Sequence, residues 1–232
     1  IINGAECEPY ITSDYRCFME EGEDVLEGVL LMLKYLGIPK CIIGIEKNKP
    51  KAIEKMTRLC EKHDNITVKA LKSSYPQGAE KTLIFSTTGR VVKEGTLPLA
   101  SGCIVVNSST AAFIAQYIRT GMPLVKRRIT VDGNIVKRPS NFIVPVGMSI
   151  GEIVYYAELS DKPDRIILGG PMMGACAFDP DYPLSKTNNA VLMFADSPVY
   201  EPSECIRCGK CVKACSMNLL PTELEHAFDM RD

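Results

Sequence analysis

The sequence lacks the long apolar run that a membrane-spanning helix requires. Its best candidate, residues 25–36, is interrupted by Glu27, Gly28 and Lys34. A span needs roughly 18 or more consecutive apolar residues. We therefore expect any association with a membrane to depend on a partner protein.

An excess of charge of either sign is also missing. The chain has 27 Lys and Arg against 28 Asp and Glu, a net charge of −1. A nucleic-acid-binding protein would carry a basic surface, so we predict no nucleic-acid partner. Only two histidines are present, His63 and His226. We interpret both as structural or exposed.

A disulfide scaffold is excluded by cysteine density. Ten cysteines in 232 residues are too few for one, and four of the ten lie in a single short run. Cysteines that occur singly in apolar patterns are most simply small core residues. This usage predicts a reducing compartment.

A glycine-rich dinucleotide fingerprint is absent too. The pattern G-x-G-x-x-G does not occur, and the nearest stretch, residues 169–174, has different spacing and contains a proline. There is no internal repeat. The chain opens with Ile1 rather than Met and shows no signal-peptide pattern. We therefore expect it to be a piece of a longer protein.

The strongest positive signal is the cysteine run at 205–215. Cys205, Cys208, Cys211 and Cys215 have the spacing C-x2-C-x2-C-x3-C, which is typical of bacterial iron–sulfur sites. Gly209 allows the tight backbone curl that such a loop needs. Structural zinc is the alternative, but it usually takes two cysteine pairs separated by a long loop. The spacing therefore favours iron and sulfide.

The fourth cysteine limits what the run can form. In two-cluster ferredoxins the first three cysteines hold one cluster and the fourth ligates the other. Cys215 would then need a second cysteine run downstream, and none follows it before Asp232. We expect 197–232 to be the start of a truncated ferredoxin-type domain.

The first half of the chain alternates helix and strand patterns. An apolar helix face at 25–36 ends at Gly37, followed by a strand at 41–45, a helix at about 50–62 and a strand at 66–70. The alternation continues with a helix at 79–87, a strand at 103–106 and a helix at 110–119 closed by Gly121. This alternation of helices and strands predicts an open α/β layer over residues 1–121.

Residues 122–196 follow a different pattern. We predict a strand at 124–131, a turn at Asp132-Gly133, a returning strand at 135–146 and a helix at 150–159 capped by Ser149. Further strands are predicted at 165–168 and 190–194. Two strands, a helix and more strands indicate a compact β-grasp-like domain, followed by a proline-bearing linker.

Two strand ends in the α/β part carry polar side chains. Ligands bind at the carboxyl edge of an open sheet, where Asn3, Glu6 and Glu8 could accept bonds from ribityl hydroxyls or a ring N–H while Gly4 permits close approach. A solvated acidic turn is the alternative, which residue types alone favour. The 107–110 stretch could hold a phosphate on helix amides, or be an ordinary cap by Ser109.

Four stretches resemble the family of C subunits of the Rnf complex. They are Asn3–Pro9 with Ser13–Arg16, Tyr75–Lys81, Asn107–Tyr117 and the cysteine run, and the likeness covers essentially all 232 residues. The family is similar to the flavin- and NADH-binding subunit of respiratory complex I. The resemblance implies that subunit's open layered α/β sheet, then a β-grasp domain of the soluble-ligand-binding (SLBB) type, then an α-helical 4Fe–4S module.

The resemblance also implies site residues. The complex I stretch N-A-D-E-S-E-P binds FMN, and it carries over to Asn3, Ala5, Glu6, Cys7 and Glu8, with Ala5 and Cys7 departing from Asp and Ser. The G-E-E-T stretch resembles 78–81, keeping Gly78 and Glu80; the paired asparagines match only Asn107, with Thr110 following. We expect a glycine-rich loop and a lysine, which precede these stretches in both families, to lie outside this chain.

The function implied is that of an electron-input subunit. It would pass electrons between NAD(H), FMN and 4Fe–4S clusters, two in the parent protein, toward or from ferredoxin. Partner subunits, including membrane-embedded ones and the ferredoxin-like B subunit, would couple this NAD:ferredoxin oxidoreductase to ion transport. Glu6, Glu8 and Glu80 would orient flavin or nicotinamide, with no acid–base triad. The resemblance places the protein peripherally on the cytoplasmic face of the cell membrane, and we expect the piece alone to be inactive.

Two other functions remain open from the sequence. A related cobalamin reductase of propanediol microcompartments shares the cluster and flavin parts but delivers electrons to a corrinoid. A non-catalytic scaffold could instead dock other subunits through the β-grasp domain and the basic triplet Lys126-Arg127-Arg128. Such a triplet near a hairpin is more often a solvated face.

Overall fold

The computed structural model describes residues 1–195, 201, 203–215 and 217–230. The chain divides into two compact units, Ile1–Asp196 and Ser197–Asp232. The first unit contains two sheets, each with its own hydrophobic core. The second contains short helices.

The first sheet has four strands, all parallel. They are β1 (Ile2–Gly4), β2 (Cys41–Glu46), β3 (Ile66–Leu71) and β4 (Val106–Asn107), in the order β3-β2-β1-β4. The helices are α1 (Ser13–Leu36), α2 (Pro50–Cys60), α3 (Glu80–Thr88) and α4 (Ser108–Thr120), with a 3₁₀ turn at Pro98–Ser101. This confirms the predicted α/β class with a parallel sheet.

Helix α1 packs the layer together because its apolar positions recur on one face. Phe18, Val25 and Val29 are essentially inaccessible, and full burial of such side chains contributes about 1.5–3 kcal/mol each. Gly28 lets α4 approach closely, since an added Cβ would lie 1.9 Å from the carbonyl oxygen of Ala111. The helix therefore needs both its apolar stripe and its glycine.

Three details of the first sheet differ from the predictions. The strand predicted at 103–106 pairs only at Val106–Asn107. The cap of α4 is Asn107, whose side chain accepts from the Ser109 amide, and not Ser109. Gly4 makes room for a neighbouring side chain rather than a ligand, because an added Cβ would lie 2.4 Å from Phe18 Cε2.

The second sheet has five strands and mixed pairing. They are β5 (Lys126–Asp132), β6 (Ser140–Pro145), β7 (Arg165–Leu168), β8 (Ala175–Ala177) and β9 (Ala190–Phe194), in the order β6-β5-β9-β7-β8. The β5–β9 pair is parallel and the other pairs are antiparallel. Helix α5 (Ile150–Ala157) begins with the predicted Ser149 cap, which forms a capping box with Glu152.

The predicted tight turn at Asp132-Gly133 is wrong. Strands β5 and β6 are joined by residues 133–139 instead. Gly133 has φ +136°, and its backbone lies so close to β9 that an added Cβ would be 1.8 Å from the Met193 carbonyl oxygen. This glycine therefore serves sheet packing rather than a two-residue hairpin.

The basic triplet is not a uniformly solvated face. Arg128 of β5 has a side chain only 9% exposed, and its guanidinium forms ion pairs with Glu20 and Glu21 of α1. The backbone of α1 departs from helical geometry at Glu21. Arg128 therefore joins α1 to the second sheet, which weakens the triplet's interpretation as a docking surface.

The second unit holds α6 (Lys210–Ala214) and α7 (Pro221–Met230), neither of which has a buried residue. In the part of the chain that the structure describes, every helix is too short or too polar to cross a lipid bilayer.

Candidate functional site

The first sheet places β1 and β4 where its strand order reverses. The chain passes from β1 to β2 and β3 on one side and then returns to β4 on the other. Ligands bind at such switch points, outside the carboxyl ends of the strands. Asn3, one residue before the end of β1, is the register partner of Asn107 at the end of β4, so both predicted asparagines lie at this point.

A cavity of about 360 Å³ opens at that edge, and we call it the edge cavity. Its volume is within the ordinary range for small-molecule sites. Predicted site residues that line it are Asn3, Ala5, Glu6, Cys7, Glu8, Gly78 and Asn107. Glu80 and Thr110 are exposed residues in the first turns of α3 and α4, and they are not among its lining residues.

The Asn3 side chain fixes the 75–79 turn against β1. Its Nδ2 donates to the Gly78 carbonyl oxygen at 2.9 Å, and its Oδ1 accepts from the Ala5 amide at 3.1 Å. Gly78 fits because a Cβ there would lie 2.4 Å from the Ala5 carbonyl oxygen. The Gly78 amide also donates to Cys7 Sγ at 3.4 Å. Two sequence-distant walls of the cavity are therefore locked together.

The Asn107 side chain fixes the opposite wall. Its Oδ1 accepts from the Ser109 amide at 2.9 Å and its Nδ2 donates to Asp14 Oδ2 at 3.0 Å. The other Asp14 oxygen accepts from the Ser108 and Ser109 hydroxyls at 3.1 and 3.3 Å. Asp14 therefore ties the start of α1 to the start of α4.

Glu6 is almost completely buried, and its carboxylate accepts hydrogen bonds from residues at the beginning of α1. Oε1 accepts from the Asp14 amide at 2.8 Å and from the Ser13 hydroxyl at 3.3 Å. Lys49 Nζ lies 3.4 Å from Glu6 Oε2, 3.1 Å from the Glu6 carbonyl oxygen and 3.1 Å from Glu46 Oε2. Carboxylates near helix N-termini are stabilised by the helix dipole.

Burial, together with the neighbouring Asp14, raises the pKa of the Glu6 carboxyl to about 7. Lys49 and the backbone amides at the start of α1 act in the opposite direction. Loss of hydration on burial disfavours the charged form of Glu6, and the nearby Asp14 adds to this effect. Glu6 is therefore partly protonated near neutral pH.

Glu8 faces a loop from the second sheet. Its Oε2 accepts from the Met172 amide at 2.9 Å, and Met173 and Asn189, also from that part of the chain, line the edge cavity. Sequence reasoning did not find Met173, Asn189, Asp14 or Lys49 as site residues. Asp14 offered a signal, as an acidic residue in the first turn of a helix; the others depend on long-range packing.

A larger cavity, of about 580 Å³, lies at the opposite edge of the first sheet. Its lining is mainly apolar, and Lys40 and Arg90 are the charged side chains among it. It adjoins the amino ends of the strands, beside Ile2 and Cys41, and its lining residues include no carboxylate or amide side chain. The edge cavity is therefore the better candidate for a polar cofactor.

The cysteine run lies in the second unit. Cys205, Cys208 and Cys211 are exposed, and Cys215 is half-buried. The Arg207 amide donates to Cys205 Sγ at 3.3 Å and the Leu219 amide to Cys215 Sγ at 3.4 Å. Among the described residues, no three Cys, His, Asp or Glu side chains converge as metal ligands. The predicted metal site therefore stays a prediction.

The chain matches known proteins along nearly its whole length. It is 41% identical over 227 residues to the C subunit of the proton-translocating ferredoxin:NAD(+) oxidoreductase complex of Clostridium ljungdahlii, covering 97% of this chain and 50% of the relative. It is 39% identical to the Na(+)-translocating counterpart of Acetobacterium woodii, covering 97% of this chain and 51% of that protein. The chain thus spans about half the length of these relatives.

Two further comparisons concern the fold. The solved structure of an NAD+-reducing [NiFe]-hydrogenase in the air-oxidized state superposes with a TM-score of 0.69 at 19% identity, covering 83% of this chain and 39% of the other. Residues 1–116 match the model of the Nuo51 FMN-binding domain. The chain therefore belongs to the Nuo51 FMN-binding domain family, and along nearly its whole length it is similar to C subunits of ion-translocating ferredoxin:NAD(+) oxidoreductase complexes.

Proposed function

We propose that this chain is the electron-input part of an ion-translocating ferredoxin:NAD oxidoreductase complex and that FMN binds in the edge cavity. One observation carries the proposal: the two strand-end asparagines are paired in register at the switch point of the sheet. Between them lies a cavity of suitable volume, lined by amide, carboxylate and backbone groups. The proposed cofactor residues are Asn3, Ala5, Glu6, Cys7, Glu8, Gly78, Glu80, Asn107 and Thr110.

The donor set fits a flavin nucleotide. A flavin presents a flat ring with alternating polar groups and a hydroxylated chain, which suit a narrow cleft with a few fixed amide and carboxylate groups. Gly78 leaves the wall of the cleft without a side chain, and Tyr75 at the rim is 44% exposed. When bound, FMN would supply the exchange between two-electron chemistry with NADH and single-electron transfer.

The chain's own residues then act by positioning. Asn3 and Asn107 use their side chains to hold the two walls of the cavity. Glu6, paired with Lys49, holds the 5–9 segment to the start of α1. Since these groups are fixed by protein partners before any ligand arrives, little reorganisation is needed on binding.

The cysteine run would hold a 4Fe–4S cluster that exchanges electrons with the flavin site. Its support is the spacing and the two amide-to-sulfur hydrogen bonds, since such bonds tune cluster potentials. Cys205, Cys208 and Cys211 would ligate one cluster and Cys215 a second. The order β6-β5-β9-β7-β8, with its parallel β5–β9 pair, supports a β-grasp assignment for the second sheet.

The partners proposed are NADH, ferredoxin, the ferredoxin-like B subunit and the membrane-embedded subunits, with this protein peripheral on the cytoplasmic face of the membrane. The names of the two relatives support this assembly, because both are subunits of ion-translocating ferredoxin:NAD(+) oxidoreductase complexes.

The test is FMN binding by the purified full-length protein under anaerobic conditions. Flavin fluorescence, excited in the visible, is the readout. We expect one FMN per chain, with flavin absorbance that bleaches on adding NADH. Asn3→Ala, which frees the 75–79 turn, should weaken FMN binding about tenfold, as expected for one lost buried hydrogen bond or two.

The matched control is Asn65→Ala, an exposed asparagine just before β3 at the other edge of the sheet. Its FMN affinity should equal that of the wild type. A protein that binds no flavin contradicts the proposal, as does an Asn3 variant that binds like the control. Corrinoid reduction without ferredoxin reduction would favour the cobalamin reductase instead.

A further inference from the structure

The loop at residues 169–174 joins β7 to β8 in the second sheet, and we call it the clasp loop. Strand residues Leu168 and Ala175 are paired on either side of it. Within the loop, the Gly174 amide donates to the Gly170 carbonyl oxygen at 2.7 Å. Gly169, with φ +100°, donates its amide to the Ala190 carbonyl oxygen at 2.8 Å. The loop is therefore compact and held by its own backbone and by β9.

The clasp loop is fastened to the first part of the chain by one side chain. Glu8 Oε2 accepts from the Met172 amide at 2.9 Å. Gly170 lies directly on the same carboxylate, because an added Cβ would be 1.9 Å from Glu8 Oε2 and 2.7 Å from Glu8 Cβ. Both contacts leave the Glu8 carboxylate turned toward the loop.

This fastening presents Met173 to the edge cavity. The residue lines the cavity although it comes from a loop of the second sheet, and it is 77% exposed. A large thioether left open beside a polar cleft has little to contact in the protein itself. Methionine sulfur interacts favourably with aromatic rings, and its unbranched chain adapts to their shape.

We propose that Met173 contacts the ring system of the flavin bound in the edge cavity and that Glu8 is a positioning residue which acts by holding the clasp loop. The second sheet thus completes a cofactor site built mainly on the first. The proposal rests on the proposed function and identifies the residue of the second sheet that contacts the ring. It also gives Glu8 a different role from the direct binding of flavin or nicotinamide that the resemblance implied.

Four variants of the full-length protein test the proposal by FMN titration. Met173→Ala should weaken FMN binding about threefold to tenfold, the scale of a lost sulfur–ring contact. Glu8→Ala should weaken it by a similar factor, because the loop loses its anchor. Glu8→Gln should restore binding, since an amide oxygen can accept from the Met172 N–H. The double variant Glu8→Ala/Met173→Ala should be no weaker than the weaker single variant.

The control is Met122→Ala, a similarly exposed methionine after α4 that does not line the cavity. It should bind FMN like the wild type. Thermal unfolding of each variant separates a local effect from misfolding. In Gly170→Ala the added methyl group would collide with Glu8. We therefore expect this variant to lose as much FMN affinity as Glu8→Ala.

The outcomes separate the two hypotheses. If the wild type binds no FMN, the proposed function fails, and the clasp-loop proposal fails with it. If the wild type binds FMN and Met173→Ala binds equally well, only the clasp-loop proposal is overturned. An increase in the KM for NADH at unchanged FMN affinity would assign Met173 to the nicotinamide and also overturn it. If the losses of FMN affinity in the double variant are additive, Glu8 is a direct ligand and its positioning role is overturned. The same conclusion follows if the Glu8→Gln variant fails to bind FMN.

Discussion

The two candidate cofactor sites differ in what holds their residues in place. The edge cavity takes its residues from strand ends and loops that are far apart in sequence, and its principal side chains already have protein partners. The cysteine run has its four thiols within eleven residues, three of them exposed. The first site is therefore formed by the fold, whereas the geometry of the second depends on the ligand that it binds.

The largest expected effect separates the two sites. Cys208→Ser should abolish one iron–sulfur cluster, because a cubane loses a corner ligand. Bound iron and the paramagnetic signal on reduction should fall accordingly, while FMN affinity changes by less than about twofold, since the cavity needs no metal for its geometry.

Cys176→Ser is the matched control, as an exposed cysteine outside the run. It should keep all its iron. Zinc in place of iron in the wild type would refute the iron–sulfur assignment, and loss of FMN together with iron would show that the two sites do not form independently.

The charged groups beneath the edge cavity give the next largest effect. Lys49→Met removes the cation between Glu6 and Glu46, whose side chains are 3% and 2% exposed. Breaking a buried pair leaves a buried carboxylate without its partner, which lowers the free energy of unfolding by roughly 3 kcal/mol. Urea unfolding measures this loss of stability. The exposed Lys51→Met on α2 should change stability by less than about 0.5 kcal/mol, and equal losses for both variants would contradict the account.

Glu6 should make stability depend on pH. Its pKa is about 7 in the folded chain against 4.5 as the reference value, so the folded state binds the proton more tightly. The stabilisation is complete below about pH 4.5 and is lost as the pH rises toward 7, by the order of 1–3 kcal/mol.

The measurement is the free energy of unfolding of wild type and Glu6→Gln across that range. The variant, which cannot ionise, should lose this part of the pH dependence. Parallel curves for the two proteins would show that Glu6 does not titrate there.

The smallest expected effect tests the connection between the sheets. Arg128→Met should cost about 1–2 kcal/mol, because the arginine is 9% exposed while its partners Glu20 and Glu21 keep some solvent. Arg138→Met is the control; it breaks a 3.8 Å pair with Glu158 whose side chains are largely exposed. We expect less than about 0.5 kcal/mol there, and denaturant midpoints would show whether the two differ.

The same comparison explains how much the sequence could predict. The alternation of helices and strands was predictable because the buried parallel stretch 41–45 is continuously apolar and because Gly37 ends α1 in the left-handed conformation. The capping role of Ser149 was readable for the same local reason. The cysteine run needs only spacing to be recognised, although nothing in the described residues tests its metal.

The parts that were missed depend on contacts between distant segments. Gly133 suggested a hairpin turn, but it is required by the close approach of β9. Nothing in the sequence distinguishes Lys49 from the other lysines, because only the fold places it between two buried carboxylates. Met173 belongs to a glycine-rich stretch, and only tertiary structure brings it to the cavity. Such residues follow from packing and not from local patterns.

An experimental structure of the full-length protein with FMN tests the central claim most directly. The account predicts that the ring lies in the edge cavity, between the turn carrying Gly78 and the start of α4 at Asn107. Density for FMN in the apolar cavity at the opposite edge of the sheet, or against the second sheet alone, would contradict it.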